Sequence, residues 1–180
     1  MLQLHNKQKL DSAAGSLLVA LLMHYPEIMS INLDEPQQQI LFNFLLAGKP
    51  AQEELASFKE LLQESFAAYA ELSGERVRYK VKIQPAGKLS ILGIKAGTKT
   101  LSPEGISLLC GLVCRSFPGK VVSDGEKMDA FYDDEDLLYQ EETIAFLLKH
   151  GAETSKENLL AFREAGKVFV YDKQESCRYA

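Results

Sequence analysis

The sequence predicts a single α+β domain, spanning residues 1–180, in which helices cover one face of an antiparallel sheet. A strand-strand-helix order occurs twice, over residues 27–73 and 76–117. Two such units form a four-stranded sheet with its helices on one side. Of the 180 residues, 46% are hydrophobic and 25% are charged, as is typical of one globular domain. The units share only the order of their elements, so a duplication stays an open question.

The first unit belongs to a main α+β body that we place at residues 11–117. Residues 1–10 are polar, and we expect a loose segment there. Asp11 or Ser12 can cap a first helix, and Pro26 ends it. Strands at 28–33 and 40–46 then flank a turn. The helix that follows has an apolar stripe and ends at Ser73-Gly74. The stripe consists of Leu55, Phe58, Leu62, Phe66, Tyr69 and Leu72.

The second unit places strands at 77–83 and 89–96 around a turn that contains Gly87. Ser102-Pro103 starts its helix, and Pro118 stops it. We predict an acidic loop over residues 118–136, either without regular structure or with a short strand at 121–122. The last part, 137–180, contains a helix that ends at His150. Residues 155–172 then form either a second helix or, as we favour, a hairpin.

The bulk properties favour a cytoplasmic protein. An odd number of cysteines, three, suits a reducing compartment. The apolar run Ala13–Met23 loosely mimics a signal peptide, but Asp11 precedes it and no small-residue cleavage site follows. The run is also too short to span a bilayer, which takes about 20 residues. The net charge of −5 gives the chain no general attraction to nucleic acid or to anionic membranes.

Motifs for catalysis and for cofactors are missing. The glycines form neither a phosphate loop nor a dinucleotide fingerprint, and the sequence has no nucleophile elbow. His24 and His150 end predicted helices, where a histidine favours the helix dipole. Cys110 and Cys114 supply only two of the four ligands of a structural zinc site, so we expect two core residues. We therefore expect no cofactor and no metal, and we favour a protein without enzymatic activity.

A basic stretch is the first candidate binding site. Residues 75–99 hold seven basic side chains against one acid, Glu75. Strand periodicity places four of them on one face, Arg76, Arg78, Lys80 and Lys82. Such a row can follow a phosphate backbone, or it can be a solvated edge strand that is charged to prevent aggregation. Tyr79 points to the opposite face, so base stacking among these cations is unsupported.

An acidic stretch is the second candidate. Residues 124–142 hold nine acids against Lys127, without the spacing of a calcium loop. Aromatic side chains are mixed into it, and the mixture can bind a basic partner or this chain's own basic strand, within one molecule or between two. The candidate interaction segment consists of Asp129, Phe131, Tyr132, Asp133, Asp134, Glu135 and Asp136.

These features favour a non-enzymatic cytosolic interaction or regulatory protein, which binds a protein partner or associates with itself. Its first alternative is a protein that binds nucleic acid or a phosphate ligand through the basic strand face 76–82. The second is an enzyme with an unfamiliar acidic site around residues 124–136. No feature points to a membrane partner.

Overall fold

The computed structural model describes residues 12–123, 134–150 and 158–173, with side chains from residue 138 onward in the second range. It confirms the predicted α+β class. The elements in chain order are α1 (Ala13–His24), β1 (Ile28–Asp34), β2 (Gln39–Ala47), α2 (Gln52–Ser73), β3 (Lys80–Ala86), β4 (Leu89–Gly97), α3 (Pro103–Ser116), β5 (Val121–Val122), α4 (Asp134–His150), β6 (Asn158–Glu164) and β7 (Lys167–Asp172).

All described strands join one antiparallel sheet of seven strands, in the order β3-β4-β2-β1-β6-β7. The short strand β5 pairs with β2 beyond the end of β1, at Leu45 and Leu46. Four strands come from the two predicted units. The predicted C-terminal hairpin is present as β6 and β7, and it extends the same sheet because β6 pairs with β1. The sheet is therefore larger than the four strands we predicted.

The hydrophobic core lies between the helices and one face of the sheet. Along β2 the buried residues alternate, with Ile40, Phe42, Phe44 and Leu46 each at most 1% exposed. Each of the four helices contributes buried side chains to the same cluster. Strand alternation therefore defines a helix-covered face and an opposite face, which we call the open face because no described helix lies on it.

The helices begin and end at residues that the sequence indicates. The Ser12 and Ser102 hydroxyls each accept a backbone N–H at 3.1 Å, from Gly15 and Gly105 respectively. Such caps satisfy donors that the first turn leaves without partners. Gly74 ends α2 with a φ of 77°, a conformation that glycine adopts without steric cost.

Some predicted boundaries and burials are wrong. The strand that holds the basic row starts at Lys80, so Arg76 and Arg78 precede it. Pairing begins at Lys80, opposite Lys95, although β4 continues for two more residues to Gly97. Helix α4 starts inside the predicted loop, at Asp134. Leu72 is 89% exposed, and Cys114 is exposed whereas Cys110 is buried.

Hydropathy gives one further result. None of the helices within the described ranges is both long enough and apolar enough to cross a membrane.

Candidate functional site

A groove of about 1100 Å³ lies between α2 and β3, and we call it the α2–β3 groove. Phe66 of α2 and Tyr79 pack against each other at its base, with ring centroids 4.3 Å apart. This contact places the Tyr79 ring against α2. The apolar lining consists of Leu62, Phe66, Ala67, Ala70, Val77, Tyr79 and Val81.

Basic side chains surround this apolar lining. Five cations and one acid, Glu71, complete the walls of the groove. None of the five has a described carboxylate within ion-pair distance. The groove is therefore apolar at its base and positively charged at its rim. The five cations are Lys59, Arg76, Arg78, Lys80 and Lys82, and the last four are the residues of the predicted basic row.

The outer edge of β3 lies along this groove. β3 is the last strand of the sheet, and among the described strands it pairs only with β4. A two-residue turn, Gly87-Lys88, joins the two strands, so Ala86 and Leu89 form the hydrogen-bonded pair that closes the hairpin. By alternation, the backbone N–H and C=O groups of Val81 and Ile83 face outward. No described strand pairs with these groups, which can therefore bind another extended chain.

A smaller concavity of about 300 Å³, which we call the basic cleft, lies at the other side of β3. Four cations line it without an acid: Arg78, Lys80, Lys95 and Lys99. Lys80 and Lys95 are direct partners on neighbouring strands, a placement in which like charges repel. The β1–β2 turn closes the cleft, and there the buried Oε1 atom of Gln39 has no hydrogen-bond partner in the described part of the chain.

The open face also carries aromatic side chains that sequence reasoning missed. The register of the sheet places Phe162 of β6, and Phe169 and Tyr171 of β7, on the same face as Lys80 and Lys82. Phe162 stacks with both other rings, at centroid distances of 5.4 and 5.7 Å. The three rings thus pack against one another on β6 and β7, four and five strand spacings from β3. Alternation within β6 and β7 was visible in the sequence, but their position in the sheet was not.

Part of the predicted acidic segment lies outside the described residues. This holds for Asp129, Phe131, Tyr132 and Asp133. Asp134, Glu135 and Asp136 form the first turn of α4, where carboxylates favour the helix dipole. The structure therefore does not test whether this segment contacts the basic strand.

Two buried ionisable groups, Tyr25 and Cys110, belong to the hydrophobic core. Tyr25 bonds to the Ser107 hydroxyl at 2.8 Å, and burial raises the pKa of its phenol to about 12. Burial also raises the pKa of the Cys110 thiol well above its ordinary value, which makes a thiolate nucleophile unavailable there. Over the ranges that the structure describes, no group of three or more potential metal ligands occurs.

Comparison with models of known protein families, with curated proteins and with solved structures finds no match to this chain. Function therefore has to be inferred from the surfaces described above.

Proposed function

We propose that this chain is a non-enzymatic interaction protein that binds an extended, acidic segment of a partner protein in the α2–β3 groove. One observation carries the proposal: an apolar groove with a basic rim runs beside the unpaired edge of β3. An added strand would bond to the outward groups of Val81 and Ile83. Its alternate side chains would enter the apolar lining, and the rest would meet the cations.

Charge favours a partner with acidic residues over a second copy at this edge. Antiparallel pairing of β3 with another β3 would bring Lys80 and Lys82 close to the same lysines of the other copy. Like charges on directly opposite residues destabilise a strand pair. Self-association through another surface stays a prediction, which sedimentation velocity would check. The cytoplasmic location also belongs to this proposal, because it rests on the number of cysteines alone.

The direct test is fluorescence anisotropy with labelled peptides that match the seven residues of β3 in length. One peptide alternates valine with aspartate, and the other alternates valine with lysine. We expect saturable binding of the acidic peptide at low salt, and binding at least about tenfold weaker for the basic one. Equal binding of both peptides, or no binding of either, would contradict the proposal.

Two pairs of variants locate the binding. Val81→Pro removes an outward N–H without removing a bond to β4, whereas Val81→Ala only shortens the side chain. We expect the proline variant to bind the acidic peptide more weakly than the alanine variant. Ala67→Glu puts a carboxylate into the groove, whereas Ala68→Glu puts one on an exposed part of α2 outside it. Of these two variants, only Ala67→Glu should weaken binding of the acidic peptide, because its carboxylate repels the peptide's aspartates.

A further inference from the structure

We propose that the basic cleft binds a compact phosphate ester with at least two phosphoryl groups. This goes beyond the proposed function, because the ligand is a small molecule and the cleft lies on the open face. The groove and the cleft share Arg78 and Lys80, whereas Lys95 and Lys99 line the cleft and not the groove. The two sites can therefore be tested separately.

The cleft concentrates positive charge that the described part of the protein leaves uncompensated. No described carboxylate forms an ion pair with any of its four cations. One acid, Asp34, lines a neighbouring concavity that shares Lys80 and Lys95 with the cleft, and its carboxylate accepts the backbone N–H of Gln37 at 3.2 Å. A multivalent anion between Lys80 and Lys95 would turn the repulsion of this cross-strand pair into attraction.

The size of the cleft favours phosphoryl groups over an acidic peptide. Side chains on one face of an extended peptide lie about 7 Å apart and carry one charge each. A terminal phosphoryl group carries about −1.5 to −2 charges, so a compact ester with two or more phosphoryl groups can meet all four cations within about 300 Å³.

Isothermal titration calorimetry at low salt, with ADP and with inorganic tripolyphosphate as probes, tests this proposal. We expect saturable binding of at least one probe at a single site, and weak or no binding of sulfate. The double variant Lys95→Gln, Lys99→Gln should bind at least about tenfold more weakly. The matched control Lys49→Gln, Lys88→Gln changes two exposed lysines outside the cleft and should bind like the wild type.

Three results would overturn the proposal. They are the absence of saturable binding by either probe, an equal loss in the two double variants, and binding of a single-stranded oligothymidylate without binding of either probe. The last result would indicate a nucleic-acid strand across the open face instead. The acidic peptide of the preceding section is titrated into the same variants. If it binds them normally while ADP and tripolyphosphate do not, the groove and the cleft are separate sites.

Discussion

At the scale of single residues, Ser102 connects two helices. Its hydroxyl accepts the Gly105 N–H at 3.1 Å and lies 2.6 Å from the Tyr69 hydroxyl of α2. Ser102→Ala removes the cap of α3 and leaves Tyr69 without this partner. We expect it to lower the free energy of unfolding by about 1–2 kcal/mol, measured by urea denaturation. Ser102→Asn, which can still cap α3, should restore part of the loss.

Glu54 gives a prediction about pH. Its carboxylate accepts two bonds from the Lys120 ammonium, at 2.7 and 2.8 Å, and these bonds hold its pKa below the ordinary value of 4.5. A group with a lowered folded pKa stabilises the fold above its unfolded pKa, and this contribution is lost as pH falls through the folded pKa. We expect Lys120→Met to lower the melting temperature at pH 7. The difference from the wild type should shrink below pH 4.5, and a constant difference would contradict this reading.

At the scale of elements, local signals in the sequence predicted most helices and strands, because caps, turns and periodicity act over a few residues. Gly74, Ser102 and Pro103 show this, since each lies at the predicted end or start of a helix. The predicted start of β3 was wrong. Pairing begins at Lys80 although β4 continues to Gly97, two residues beyond the partner of Lys80, and alternating charge alone does not show where pairing begins.

The β6–β7 hairpin was predicted correctly, but its turn does not have the residues that this type of turn favours. Its turn residues Ala165 and Gly166 both have a positive φ, 50° and 72°. This is the backbone of a type I′ turn, which favours Asn-Gly. A positive φ is sterically unfavourable for alanine and less unfavourable for asparagine. We expect Ala165→Asn to raise the free energy of unfolding by about 0.5–1 kcal/mol, measured by urea denaturation. A decrease would mean that the turn adopts another conformation.

At the scale of the whole molecule, the candidate surfaces depend on strand order, which the sequence did not predict. The basic row was visible because its four cations are close in sequence. The cleft needs Lys95 and Lys99 from another strand and turn, and the groove needs α2 to lie beside the edge strand. The aromatic rings of β6 and β7 share a face with Lys80 and Lys82 only because β6 pairs with β1. Long-range pairing, and not local pattern, places these groups together.

Because the described helices cover only one face of the sheet, we expect adjacent leucines of β6 to contribute differently to the free energy of unfolding. Leu159 faces the helices and is 0% exposed, whereas its neighbour Leu160 lies on the open face and is partly exposed. We expect Leu159→Ala to lower the free energy of unfolding by about 2–4 kcal/mol, because it leaves a cavity in the core. Leu160→Ala should cost about 1 kcal/mol or less, since solvent already contacts that side chain.

The measurement is urea denaturation at several protein concentrations. Leu46→Ala and Leu45→Ala form a second pair on β2, buried and half-buried respectively, and should behave in the same way. Equal losses within each pair would mean that the open face is covered in solution. If the loss at Leu160 also grew with protein concentration, a second copy of the chain would be the cover, because a dimer is stabilised by mass action. A small loss that is independent of concentration would show that the face is open, as ligand binding at the basic cleft requires.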